Sequence, residues 1–165
     1  MTLRITRSVI ALAAAGLLFG AVGATAAPRN IEVRGDGACA PDITSVSGVT
    51  RGSGLGRADF SASLTVGGVA YSLPGGGTCN AADGTVTYAR SGANLVTDVG
   101  GVVCEVGTSG AGSAIVPNDV FEGSYAVDGG SSTGRYAGNT GAGNVVIGCY
   151  GDGTAAHHAN GSLNN

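Results

Sequence analysis

The sequence has no lysine and little positive charge of any kind. Its eight basic residues are scattered arginines, and two of them, Arg4 and Arg7, lie in the first segment. The whole chain has a formal charge of −3, so the part after that segment carries −5. Nucleic acid is bound by clustered positive charge, and we therefore expect no nucleic-acid partner.

The sequence also lacks a second long apolar run. Its one such run, Val9 to Val22, follows a basic start and precedes the small residues Ala24-Thr25-Ala26-Ala27, which is the pattern of a secretory signal peptide. The run is shorter than the roughly 20 residues that a membrane span needs. We expect residues 1–26 to be a signal peptide, the protein to be secreted or periplasmic, and the mature chain to have no membrane span.

Histidine occurs only as the adjacent pair His157-His158. Adjacent side chains point in different directions on most backbones, so a metal site shared by the pair is not expected. A catalytic triad would have to use one of these two histidines, and we do not expect one in this polar segment. Glu105 and Glu122 are a conceivable acid and base, but both lie on the polar faces of predicted strands, where we expect them to be solvated. The sequence predicts no catalytic residue, no metal and no cofactor.

The four cysteines are Cys39, Cys79, Cys104 and Cys149. An even number in an exported protein predicts two disulfides, for which three pairings are possible. We favour Cys79–Cys104 together with Cys39–Cys149. A zinc site is the competing interpretation, but it needs closely spaced ligand pairs that this sequence does not contain.

No segment after residue 26 shows a sustained helical period, whereas several alternate with a period of two. The apolar residues between Phe60 and Val66 alternate with polar ones, and Phe121, Tyr125 and Val127 likewise face away from Glu122 and its polar neighbours. Val102, Cys104 and Val106 form a third such set. Weaker strand predictions are Ile43 to Thr50, Val69 to Leu73, Thr85 to Ala89, Ala93 to Val96, Ala114 to Val116, Arg135 to Ala137 and Asn144 to Tyr150.

Glycine-containing dipeptides separate these strands and predict turns. Gly67-Gly68, Asp83-Gly84 and Gly100-Gly101 are typical of tight hairpins. Many short strands with frequent turns predict an all-β fold, an antiparallel barrel of about eight strands or alternatively a β-sandwich. We expect residues 27–153 to form this domain and residues 154–165 to be a flexible tail.

One segment resembles a known family. The runs Phe121 to Gly130 and Gly134 to Gly143 resemble a hairpin of bacterial secreted proteins with an allene oxide cyclase-like barrel, and of the similar plant dirigent proteins. Ser131-Ser132-Thr133 replaces the family's single small residue, so the turn must be longer here. The resemblance implies an eight-stranded antiparallel barrel with an apolar interior. It brings no catalytic residue, because the active-site positions of these families fall outside the matching segment.

The same segment contains our candidate ligand-binding residues. Tyr125 and Tyr136 would face each other across the predicted hairpin, and Arg135 lies beside them. The favoured hypothesis is a secreted, non-enzymatic barrel domain that binds a small apolar molecule or a cell-surface component. One alternative is a cyclase-like or isomerase-like enzyme acting in a deep cavity inside the barrel, which a barrel filled by side chains would rule out. Another is a structural protein associated with the cell envelope.

Overall fold

A computed structural model describes residues 27–74, 77–106 and 117–165. Its eight antiparallel strands form a closed barrel in which each strand pairs with the next and the last pairs with the first. This confirms the predicted fold class and excludes the sandwich. The strands are β1 (Arg29–Cys39), β2 (Ser45–Ser53), β3 (Ala58–Ser72), β4 (Thr78–Arg90), β5 (Ala93–Glu105), β6 (Pro117–Val127), β7 (Ala142–Tyr150) and β8 (Thr154–Leu163).

The described residues contain one short helical element, the 3₁₀ helix Gly134–Tyr136 between β6 and β7. No helix among the described residues has the length and apolar character of a membrane-spanning segment. The predicted signal peptide, residues 1–26, and the predicted strand Ala114 to Val116 lie outside the described residues.

The segment that we expected to be a flexible tail is a strand of the barrel. β8 pairs with β7 on one side and with β1 on the other, so it closes the sheet. Ala155, His157, Ala159 and Leu163 alternate along it and are buried. The tail prediction was wrong because two of these four inward residues are alanine, and a period of two in alanine is hard to recognise in a sequence.

The side chains of the barrel interior come from all eight strands. Phe60, Leu64, Phe121 and Tyr125 are all buried there, as their alternation predicts. On β5, however, the prediction was wrong. Leu95, Thr97, Val99 and Val103 point inward, so the outward residues include Val102 and Cys104. Adjacent valines at 102 and 103 make the local pattern ambiguous, and only the continuous strand from Ala93 decides between them.

The ends of the barrel are covered by buried loop residues. Ile43 lies in the loop from β1 to β2 at one end, and Leu55 lies in the loop from β2 to β3 at the other. Both side chains are almost fully removed from solvent. The interior is therefore a packed core that extends from one end to the other.

Three predicted turns lie inside strands instead. Gly67-Gly68 is in β3, Asp83-Gly84 is in β4 and Gly100-Gly101 is in β5. The strands are consequently longer than the sequence pattern indicates. These predictions were wrong because glycine in a strand can also mark a sharp bend or a close approach of two backbones.

Close approach explains a whole class of the glycines. The glycines of this class face into the barrel from the strands. A Cβ atom at any of their positions would overlap the backbone of the adjacent strand. Three pairs face each other directly across two strands: Gly37 with Gly48, Gly101 with Gly123, and Gly143 with Gly161. Absent side chains at these points let the sheet coil tightly enough to close. The class consists of Gly35, Gly37, Gly48, Gly52, Gly84, Gly101, Gly123, Gly143 and Gly161.

Both favoured disulfides are present. Cys79–Cys104 joins directly opposed residues of β4 and β5. Cys39–Cys149 links β1 to β7 across the intervening β8. None of the four cysteines is free, so the competing zinc interpretation is wrong.

Candidate functional site

The barrel interior contains a pair of polar side chains that come from strands on opposite sides of the barrel. The Nε2 atom of His157, on β8, lies 3.0 Å from the hydroxyl oxygen of Tyr88, on β4, which is a hydrogen bond between buried side chains. The imidazole also stacks on the ring of Phe60, with 4.7 Å between the centroids. Together these contacts fix the orientation of the histidine in the core.

Burial controls the protonation of this pair. It lowers the pKa of His157 to about 4, with a smaller contribution from the neighbouring His158. It also raises the pKa of Tyr88, with Tyr125 contributing in the same direction. Both groups are therefore neutral near pH 7. The Nδ1 atom of His157 is buried and has no hydrogen-bond partner among the described residues.

The pair is sealed from solvent by its surroundings. His157 is 2% exposed and Tyr88 is 4% exposed. A general base must come within hydrogen-bonding distance of the proton that it removes. In this conformation the imidazole is removed from solvent, and its hydrogen bond to Tyr88 links β8 to β4 across the core.

A concave groove of about 510 Å³ lies on the outer surface. It crosses four adjacent strands in the order β1, β8, β7, β6. The floor follows the strand register, in which Ala156 of β8 lies opposite Gly148 of β7, and Gly148 lies opposite Val120 of β6. Two small residues in the middle of this row leave the depression.

The walls of the groove are apolar toward β6 and polar toward β1. Val146, Tyr150 and Pro117 border the floor on the β6 and β7 side. Arg34 and Asp36 of β1 border the other side. The groove can therefore hold the apolar body of a small molecule and present charged groups at one end.

His158 stands at the polar end of the groove, on the face opposite to that of His157. Its Nε2 atom is 3.9 Å from the Oε1 atom of Glu32. The same carboxylate accepts a hydrogen bond of 3.2 Å from the Nη2 atom of Arg34. The two histidines thus point in different directions, as the sequence predicts, although they belong to a strand and not to a tail.

The predicted ligand-binding residues lie apart from this groove. Tyr125 points into the barrel, where its ring lies over Gly143 and Gly161. Its hydroxyl has no hydrogen-bond partner among the described residues. Arg135 and Tyr136 belong to the 3₁₀ helix, in which the Arg135 Nη2 atom donates a hydrogen bond of 2.6 Å to the Tyr136 hydroxyl. No hydrogen bond or aromatic contact of the described residues joins Tyr125 to the other two.

The predicted strand Arg135 to Ala137 is thus a helical turn, and β7 starts only at Ala142. The inserted Ser131-Ser132-Thr133 segment explains this. The backbone N–H groups of Val96 and Asn94 donate to the hydroxyls of Ser132 and Thr133, at 2.9 and 3.0 Å. These bonds hold the connection against the start of β5, so the chain turns before it enters β7.

The two carboxylates considered as acid and base are not brought together. Glu122 lies opposite Val102 on β5, whereas Glu105 lies opposite Asp119 at the end of that strand. Burial raises the pKa of Asp119, with Glu105 as the second cause. The described residues contain no group of three or more side chains that could hold a metal ion.

The residues of the groove and the core pair were not anticipated. The sequence pattern predicts a tail at His157 and only a weak strand at Tyr88. The alternation of Ala155, His157 and Ala159 could have indicated an inward histidine. No local sequence pattern indicates the groove, because the residues that line it come from four different strands.

Comparisons with known proteins add no relative: no family model, no curated protein and no solved structure matches this chain.

Proposed function

We propose that the protein is an exported, non-enzymatic barrel domain that binds a small and mainly apolar molecule in the outer groove. The observation that carries the proposal is the groove itself. Its volume of about 510 Å³ falls within the range of roughly 300–1,000 Å³ that is usual for small-molecule sites. Its apolar floor and few polar groups at one end are also typical of such sites.

The filled interior favours a binding domain over a cyclase-like or isomerase-like enzyme. An enzyme of that kind needs a cavity that shapes its substrate inside the barrel. Here the inward positions carry large side chains such as Phe60, Tyr88 and Phe121, and all three are buried. The one inward histidine is held by hydrogen bonding and stacking.

The two disulfides support an exported location. Disulfides persist in oxidising compartments and are rare in a reducing cytosol. Both of them join strands of the barrel. Together with the amino-terminal pattern of residues 1–26, they favour a secreted or periplasmic protein.

An NMR titration with neutral apolar probes tests the proposal. We expect 3-phenyl-1-propanol to cause saturable shifts in the backbone amides of Val146, Gly148 and Ala156, because its ring would lie on the groove floor. Ala156→Trp fills the floor and should weaken binding at least 10-fold. Ala126→Trp, an outward alanine of β6 that does not line the groove, is the matched control and should bind normally.

Two outcomes would contradict the proposal. One is the absence of saturable shifts with 3-phenyl-1-propanol and with a panel of similar neutral aromatic and aliphatic alcohols. The other is binding that Ala156→Trp leaves unchanged, since the probe would then occupy a different place.

A further inference from the structure

Charge compensation differs between the two β1 residues at the polar end of the groove. Arg34 is 3.2 Å from the carboxylate of Glu32, so its positive charge already has a partner. Among the described residues, no ion pair and no side-chain hydrogen bond involves the carboxylate of Asp36. Arg51 of β2 lies opposite Arg34 but does not line the groove. Of the two charged β1 residues that line the groove, Asp36 is therefore the one without a partner in the described part of the chain.

The strand register places this carboxylate in line with the apolar floor. Asp36 of β1 lies opposite Ala156 of β8, which is the first residue of the row that continues through Gly148 to Val120. Neighbouring strands are about 4.8 Å apart, so the row is roughly 14 Å long from β1 to β6. A small molecule lying along the floor would bring one end next to Asp36.

From this arrangement we infer that the ligand is an amphipathic amine, with a protonated amino group at Asp36 and an apolar body over Ala156 and Gly148. The inference rests on the proposed function and names the chemical class that the groove takes. A ligand carboxylate in the same position would lie next to the carboxylate of Asp36 and be repelled by it. The formal charge of −5 after residue 26 acts in the same direction, because it attracts cations and repels anions at a distance.

Three probes that share one apolar body test this inference. They are 3-phenylpropylamine, 3-phenyl-1-propanol and 3-phenylpropanoate, each titrated at low salt with the dissociation constant taken from the amide shifts. We expect the amine to bind about 3- to 5-fold more tightly than the alcohol, the range of an exposed ion pair, and the carboxylate to bind most weakly. Added salt should reduce the difference.

Substitution of the carboxylate locates the effect. Asp36→Asn should make the amine and the alcohol bind equally, because only the amine gains from the charge of the carboxylate. Asp98→Asn is the matched control, since Asp98 is an exposed outward carboxylate of β5 that does not line the groove, and it should preserve the preference for the amine.

The outcomes separate the inference from the proposed function. If the alcohol or the carboxylate binds as tightly as the amine, or if Asp36→Asn keeps the preference, the inference is wrong while the binding function stands. If neither the three probes nor the panel of neutral alcohols gives saturable shifts, both are wrong.

Discussion

At the scale of single residues, the notable feature of the barrel core is its buried polar side chains. Burying a polar atom costs free energy unless it finds a hydrogen-bond partner. His157 and Tyr88 supply each other with one partner. The Nδ1 atom of the same histidine and the hydroxyl of Tyr125 have none among the described residues. From the buried histidine we predict a loss of stability in acid. From the two tyrosine hydroxyls we predict different effects of mutation.

Acid should destabilise the barrel through His157. Its pKa is lowered to about 4 in the folded chain, whereas an unfolded histidine titrates near 6.5. Between these values the unfolded chain binds more protons, so stability falls as the pH falls. The loss should reach about 3 kcal/mol by pH 4. Urea unfolding from pH 7 to pH 4 measures it.

Variants separate His157 from other acid-titrating groups. His157→Leu should show a decline between pH 6.5 and pH 4 that is smaller by about the same 3 kcal/mol. His158→Gln, the neighbour on the outer face, should keep most of the wild-type decline. If His157→Leu does not fold, NMR titration of the wild-type imidazole decides the question, and an apparent pKa above 6 contradicts the prediction.

The two buried tyrosines should respond differently to loss of the hydroxyl. Tyr88→Phe leaves the Nε2 atom of His157 without a partner and should cost about 1–3 kcal/mol of unfolding free energy. Tyr125→Phe removes a buried hydroxyl that has no partner and should be neutral or stabilising. Thermal unfolding of both variants at pH 7 compares them. An equal cost for both would show that the Tyr125 hydroxyl has a partner.

At the scale of strands, glycine decides where the sheet can bend. The inward glycines lie where two strands approach so closely that a methyl group has no room. Glycine normally weakens a strand, because it packs no side chain and gains more freedom on unfolding. In this barrel the close approach outweighs that cost, but only at inward positions.

Two adjacent glycines of β5 form a matched test. A Cβ at Gly101 would overlap the carbonyl oxygen of Glu122, whereas a Cβ at Gly100 would have no heavy atom within 4 Å. Gly101→Ala should therefore cost about 1–3 kcal/mol, as overpacking does. Gly100→Ala should be neutral or stabilise by about 0.5 kcal/mol. Urea midpoints of the two variants check this, and similar losses in both would contradict the steric explanation.

At the scale of the whole molecule, closure depends on pairing between the two ends of the sequence. β1 and β8 pair along most of their lengths, and the Cys39–Cys149 disulfide spans the same region. This bridge closes a loop with a sequence separation of 110 residues, compared with 25 for Cys79–Cys104. Long loops lose more entropy when they are cross-linked in the unfolded chain.

The two bridges should therefore differ in their contribution to stability. On loop entropy alone, replacing Cys39 and Cys149 by alanine should cost about 5 kcal/mol, and replacing Cys79 and Cys104 about 3.5 kcal/mol. Chemical unfolding of the two double variants measures the difference. A larger loss from the Cys79 and Cys104 pair would show that local packing, and not loop entropy, dominates.

The all-β class follows from the amino-acid pattern alone, because an alternation such as that of Phe121, Tyr125 and Val127 is a local pattern that any half-buried strand must show. The favoured cysteine pairing also agrees with the structure, although the sequence left three pairings open. The role of β8, the reason for the inward glycines and the existence of the groove become evident only in the folded barrel. Each depends on strand register, and register joins residues that are far apart in the chain. Asp36, Ala156, Gly148 and Val120 therefore form one row only after the barrel has closed.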